Sequence, residues 1–282
     1  MLIHRLLLTF VVSLSVGCED ASHVDTASTS ADVVSSPGCS IGASPTIGWS
    51  DQSIDVNGVE RTYKLYVPDG YDESSAYRVV FSWHGFGASA EQMALSLPLA
   101  TVAASDIILV VPQGLPLGGT LPGWSWAPDG RDVDFFDVLL ESVGSNLCVD
   151  ENRVFSTGMS NGAILSNVLG CVRGDLLRAI APIAGGLLLS RHRCQEPVAA
   201  MIIHGEADHL VPTSVGRGAY RKWGKINECG SRPWQDEPSP QAECTMRKNC
   251  SANAPVLWCP HGGGHVIPAF ATDAVWNFFA SF

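Results

Sequence analysis

The run RVFSTGMSNGAILSNVLGCV, Arg153 to Val172, decides how the rest of the chain is read. Its first five residues, Arg153 to Thr157, are β-branched and aromatic enough for a short strand, while Ile164, Val168 and Leu169 recur at helical spacing. Between them lies Gly158-Met159-Ser160-Asn161-Gly162-Ala163. Strand, tight turn, serine and helix make a nucleophile elbow, in which glycines let the chain turn so sharply that the serine hydroxyl stands clear above a sheet. A bare GxSxG is a common surface turn; the flanking strand and helix make Ser160 a candidate nucleophile.

Outward from the elbow, short apolar runs without a polar face recur at Arg78 to Trp83, Ile107 to Val111, Arg178 to Ile183, Ala199 to Ile203 and Val256 to Cys259, as expected of strands covered on both sides. Helical stretches alternate with them: Ala90 to Ala104, Phe135 to Leu147, Ser160 to Val172, Ser214 to Ile226 and Pro268 to Phe279. Repeated strand–helix units predict an α/β domain, a mostly parallel sheet with helices on both faces. Asn57-Gly58, between the alternating segments Ser53–Val56 and Val59–Val67, predicts that an antiparallel hairpin opens it. Sites in such sheets lie beyond the strand C-termini, which is where Ser160 falls.

A serine hydroxyl needs a base, and the base needs an orienting carboxylate. On an elbow of this kind the partners follow in the order serine, acid, histidine. Met201-Ile202-Ile203 runs into HGEADHLVP, which offers Glu206 and Asp208 in one loop, and Val256 to Cys259 runs into PHGGGHVIP, which offers His265. His204 continues an apolar strand and reads as a hydrogen-bonded core histidine; His261 and His265 are spaced i, i+4, but the glycines between them preclude a helix, so no metal site is expected. For the oxyanion, the backbone N–H of Asn161 stands at the start of the elbow's helix, and HGFGAS after the Arg78 to Trp83 strand offers Phe86 N–H, then Gly87. Trp124 and Trp126 are candidate stacking surfaces or packing residues, and Asp132 and Asp134 precede a helix as caps would.

The chain has 282 residues, of which 46% are hydrophobic and 16% charged, with a net charge of −11, which argues against a nucleic-acid surface. The clusters Arg191 to Arg193 and Arg247-Lys248 read as solvated surface. Residues 1–17 read as a secretory signal: Arg5, an apolar run from Leu6 to Val12, and small residues before Cys18. Leu14 to Cys18 resembles a bacterial lipobox, with Ser15 where leucine is usual, so Cys18 is a candidate for lipidation and the sole route expected to a membrane. Residues 18–38, small and acidic, read as a disordered tether, and 39–282 as one catalytic domain. Setting Cys18 aside, eight of the nine cysteines remain, enough for four disulfides in an oxidising compartment.

The ordered segments RTYKLYVPDGYD, FSWHGFGAS, PQG, RDVDFFD, CVDENRVFSTGMSNGA, RAIAPIAGG, IIHGEADHLVP and GGGH resemble the secreted feruloyl-esterase and polyhydroxybutyrate-depolymerase-like branch of the α/β-hydrolases, from about Cys39 to the C-terminus. The resemblance implies Ser160 as nucleophile, Asp208 rather than Glu206 as acid, His265 as base, no cofactor, and two-step hydrolysis of feruloyl or related esters of plant cell-wall polysaccharide. Ala163 stands where the family usually has glycine, and a lipid anchor departs from a family that is mostly secreted free. The competing expectations are a hydroxybutyrate depolymerase or short-chain and acetyl esterase, and a non-catalytic envelope lipoprotein.

Overall fold

Strands that are apolar on both faces need cover on both faces, and in the computed structural model they have it. The structure describes residues 32–42, 44–103, 105–190, 194, 196–230, 236–239, 243–251 and 253–282. In chain order the strands are β1 (Gly48–Val56), β2 (Val59–Val67), β3 (Tyr77–Trp83), β4 (Ile107–Pro112), β5 (Leu115–Pro116), β6 (Pro122–Gly123), β7 (Val149–Met159), β8 (Ala179–Ile183), β9 (Ala199–Gly205), β10 (Asp236–Pro238), β11 (Thr245–Arg247) and β12 (Val256–His261). The helices are α1 (Ala90–Ser96), α2 (Leu99–Val102), α3 (Arg131–Asn146), α4 (Asn161–Val172), α5 (Thr213–Ile226) and α6 (Ala271–Ala280).

Ten of these strands form one sheet in the order β1-β2-β4-β3-β7-β8-β9-β12-β11-β10. The six from β4 to β12 in that order run parallel, and antiparallel pairs flank them on both sides. Side chains alternate between two cores, as a period of two requires. Val79, Phe81 and Trp83 of β3 join Leu139, Leu165 and Trp223 from α3, α4 and α5, whereas Val80 joins Met93, Leu99 and Phe278 from α1, α2 and α6. The predicted α/β architecture, its parallel centre and its opening hairpin are all present.

Differences from the sequence reading have local causes. The helix expected over Ala90 to Ala104 is two, because Pro98 pushes Leu97 out of helical geometry to φ −130°, ψ 75°. Asp132 and Asp134 do not cap α3, whose N-cap is Gly130. Asp132 is instead wholly buried, its Oδ1 2.7 Å from the Arg61 guanidinium and its Oδ2 accepting from Ser125 N at 2.7 Å. Arg247 is not solvated surface: it is buried, lies 3.4 Å from Asp236 and stacks over Tyr220. Arg191 to Arg193 fall outside the described residues, as do the signal segment, Cys18 and most of the tether.

The last part of that tether is held to the domain. Val34 N donates to Asp150 Oδ1 at 3.1 Å, Ser36 N to Val149 O at 2.9 Å, and Ser36 Oγ to Leu147 O at 2.9 Å. A 3₁₀ turn, Pro37–Ser40, follows, and Cys39 is bridged to Cys148. Three more disulfides join Cys171 to Cys194, Cys229 to Cys250 and Cys244 to Cys259, so all eight cysteines apart from Cys18 are paired.

The Cys39–Cys148 bridge closes 109 residues of chain. A loop of that length confers about 4 kcal/mol by restricting the unfolded chain. Replacing both cysteines with serine is expected to lower the thermal midpoint by roughly 10 °C in calorimetry while leaving kcat unchanged, because the bridge lies at the start of β7, remote from Ser160.

Candidate active site

Ser160 follows the last residue of β7 and precedes α4 with φ 55°, ψ −114°, a left-handed conformation that costs a non-glycine residue of order 1–3 kcal/mol. The elbow survives this strain because its neighbours leave the chain no room to relax. A Cβ on Gly158 would lie 2.7 Å from Trp83 O, and one on Gly162 would overlap the same carbonyl, so both glycines are needed for α4 to pass over β3. Ser160 N donates to Ile183 O at 2.9 Å, which ties the turn to the end of β8. Ala163, where glycine is usual, packs its methyl against Gly185.

The second and third strands beyond β7 in the sheet carry the other two residues. Asp208 lies beyond β9 and His265 beyond β12, and these strands pair in parallel up to Gly205 opposite His261. His265 Nδ1 meets Asp208 Oδ2 at 2.7 Å. Asp208 Oδ1 accepts from Leu210 N at 2.9 Å and Val211 N at 2.8 Å. Burial raises the Asp208 pKa, but the bond from His265, the amide of Val211, the proximity of His265 and the amide of Leu210 together hold it below the usual carboxylate value. A carboxylate can only accept, so the shared proton sits on Nδ1 and leaves the Nε2 lone pair of His265 free to act as a base. Glu206 is turned outward, 3.9 Å from Arg217. Among the described residues, no hydrogen bond joins the Ser160 hydroxyl to His265; in unliganded sites this contact often closes only around substrate.

The candidate oxyanion donors are backed by contacts that the sequence reading missed. A Cβ on Gly85 would lie 3.6 Å from Ser160 Cβ, which places the HGFG turn against the candidate nucleophile. His84 is buried, with Nδ1 2.7 Å from Gly85 O and Nε2 accepting from Gly114 N at 2.9 Å. It is therefore a neutral Nδ1–H donor that clamps the Gly85 carbonyl. The peptide is planar and trans, so the clamp directs the Phe86 N–H the opposite way. Gly87 N is committed to Pro122 O at 2.8 Å, whereas Phe86 N and Asn161 N have no partner among the described hydrogen bonds. The Asn161 side chain is bracketed by Trp124, accepting from its N at 2.6 Å and donating to its O at 3.2 Å. Trp124 Nε1 in turn donates to His84 O at 2.8 Å, and its ring is fully enclosed, so Trp124 packs. Trp126 is 39% exposed.

On loops that leave the same edge of the sheet as the Ser160 elbow, Phe86, Leu121, Trp126, Leu188, Leu210 and Val266 are exposed large apolar residues. Among the described residues, no group of three or more His, Cys, Asp and Glu side chains is arranged to hold a metal ion.

His84, His204 and His261 all have pKa values lowered from the ordinary 6.5, with burial the largest cause in each. Each is neutral when folded and protonates more readily when unfolded, so the stability it confers is present above about pH 6.5 and is lost as the pH falls toward the folded value. Melting temperatures are expected to be flat from about pH 7 to 8 and to fall by several degrees by about pH 5. Asp208 adds a loss only below the carboxylate range. Replacing His84 with glutamine should flatten the slope between those limits; an unchanged slope would show that His84 does not contribute.

A ten-stranded, centrally parallel sheet with a strained serine elbow and an Asp–His pair at adjoining strand ends defines the α/β-hydrolase class. No family model matches the chain. Individual relatives do: the chain is 32% identical over 271 residues to feruloyl esterase D of Neurospora crassa, covering 88% of this chain and 90% of that protein. It is 33% identical over 264 residues to a probable feruloyl esterase C of Aspergillus terreus, covering 88% and 92%. The protein belongs to the feruloyl esterase family and is a carboxylic-ester hydrolase. Two solved structures share its fold: an acetyl xylan esterase from Aspergillus awamori, with TM-score 0.62 at 18% identity over 82% of this chain and 99% of that one, and a CE1 ferulic acid esterase from Anaeromyces mucronatus in complex with ferulic acid, with TM-score 0.58 at 18% identity over 82% and 89%. Four disulfides suit an oxidising, extracytoplasmic compartment.

Proposed function

We propose that the protein releases feruloyl and related hydroxycinnamoyl groups from plant cell-wall polysaccharide, with Ser160, Asp208 and His265 as its triad. Family membership supports the chemistry, and the observation that carries the residue assignment is the Asp208–His265 bond at the strand ends beside the Ser160 elbow. His265 Nε2 takes the Ser160 proton as Oγ attacks the ester carbonyl, and the tetrahedral oxyanion is received by Phe86 N–H and Asn161 N–H. Asn161 adds the positive end of the twelve-residue α4. The imidazolium returns its proton to the departing sugar oxygen, leaving a feruloyl-serine ester. Water, deprotonated by the same nitrogen, then attacks that ester, and the imidazolium returns the proton to the departing Ser160 Oγ as the free acid is released.

The exposed apolar rim suits a flat aromatic acyl group, with Trp126 as a stacking face. Methyl ferulate, p-nitrophenyl acetate and a hydroxybutyrate trimer, compared at equal enzyme, test this reading. Ferulate turnover matching or exceeding the others supports a hydroxycinnamoyl pocket; turnover confined to the acetate or the trimer would replace it with a short-chain esterase or depolymerase. Lipidation of Cys18 also belongs to this proposal. Labelling by radioactive palmitate that disappears in Cys18→Ser would establish it, and an unlabelled wild type would remove it.

A further inference from the structure

His204 lies in β9, four residues before Asp208, with its side chain fully enclosed. Its Nε2 sits between two acceptors, the Val211 carbonyl oxygen at 2.8 Å and Asp208 Oδ2 at 3.5 Å. A bare lone pair there would face two oxygens, so Nε2 carries the proton and donates. Nδ1 is buried without a partner, and the backbone of Gly216 on α5 comes so close that a Cβ there would overlap it. A second proton on Nδ1 would be trapped with no acceptor, which costs more for a charged ring than the 1–3 kcal/mol or so of a neutral buried donor. The ring is a neutral Nε2–H donor. The titratable and charged groups around it are Asp208, His265 and His261 and, across the Trp258 ring, Arg217 of α5 with Glu206. Burial outweighs the attraction of Asp208 and keeps the pKa of His204 low.

We infer that His204 is a positioning residue of the candidate triad: its single N–H donates to Val211 O at 2.8 Å and so fixes the Asp208–Val211 turn that presents Asp208 Oδ2, 3.5 Å from the same ring, to His265. The inference rests on the triad assignment proposed above. Oδ1 has two backbone donors, whereas Oδ2 has only the His265 ring, whose loop is joined to the Asp208 loop through Glu206 N to His261 O and Ala207 N to Gly263 O. Removing His204 does two separable things. It frees the Asp208–Val211 turn to rock about the Oδ1 bonds, which spreads the orientation of His265. It also withdraws an N–H dipole from Oδ2, leaving more negative charge to favour the His265 imidazolium.

The test compares His204→Leu, His204→Gln, His204→Asn and Ser160→Ala in the full-length protein, with p-nitrophenyl acetate turnover followed across pH. Leucine keeps the volume without the donor, and glutamine places an amide N–H near the position of Nε2, which asparagine is too short to reach. His204→Leu is expected to lower kcat about 10- to 100-fold with KM nearly unchanged, and to move the acid limb of kcat/KM to higher pH. His204→Gln should recover most of both effects and His204→Asn little of either, a comparison that stands even if the leucine variant does not fold. A folded leucine variant with wild-type kcat and acid limb, or glutamine and asparagine variants impaired alike, would overturn the inference while leaving the triad in place. Wild-type activity in Ser160→Ala would overturn the triad assignment itself and the inference with it.

Discussion

Ser160→Ala is expected to lower kcat for any ester the protein hydrolyses by about 10⁴- to 10⁶-fold, with KM and fold unchanged. The size follows from the role of the hydroxyl: without Oγ no acyl-enzyme forms, and His265 can at best activate water at a position designed for serine. The residual rate comes from the oxyanion donors and from binding, neither of which alanine disturbs. Because Ser160 occupies a left-handed backbone position held by Gly158, Gly162 and the Ile183 carbonyl, alanine inherits the same strained turn, and circular dichroism should overlay the wild type. Stopped-flow release of p-nitrophenol checks both parts: a burst in wild type and none in the variant. A variant retaining more than a hundredth of wild-type kcat would mean that the nucleophile lies elsewhere.

Asp208→Asn is expected to cost about 10⁴-fold in kcat, the second largest loss. The amide keeps the volume and retains an oxygen for the Leu210 and Val211 amides, which fixes its orientation. That orientation aims its NH₂ at His265 Nδ1, where the carboxylate oxygen stood 2.7 Å away. The ring must then offer Nδ1 as acceptor and carry its proton on Nε2, which no longer has the lone pair a base needs. Glu206→Gln, by contrast, should leave kcat within about twofold, since that carboxyl faces Arg217 at the surface. The two variants measured side by side decide which acid of the loop serves the histidine.

The parts of this molecule legible in its sequence are those governed by local pattern. The parallel strands stood out because burial on both faces leaves no polar residue to interrupt them, as in Met201-Ile202-Ile203. The Asn57-Gly58 turn and the Gly158 to Gly162 elbow stood out because few residues tolerate those backbones; Asn57 has φ 55°. Long-range pairings were not visible. Arg61 interrupts the apolar phase of its strand, Val59, Tyr63, Leu65 and Val67, and nothing nearby in sequence shows what pairs its charge; it is buried over the Phe135 ring because Asp132, seventy-one positions on, meets it. β10 and β11 are three residues each, and the Cys244–Cys259 bridge supports them where apolar alternation would otherwise be needed. In the site, residue types and chain order indicated the triad candidates, but the work of His84, Gly114 and Trp124 behind Phe86 and Asn161 could not be read, because it passes through backbone N–H and C=O groups that nearly every residue possesses.

The chain enters the domain at Val34 and Ser36, beside the first residues of β7, whereas Ser160 stands past its last. Eleven residues of strand separate the two by roughly 35 Å, nearly the depth of the sheet. A bead, a fused partner or any other support joined at Asp32 is therefore attached at the pole opposite Ser160. Immobilised by that end, the enzyme presents its apolar rim outward to an insoluble polymer; coupled through the loops around Leu121 or Leu210, it would be pressed face down and silenced toward everything but the smallest esters.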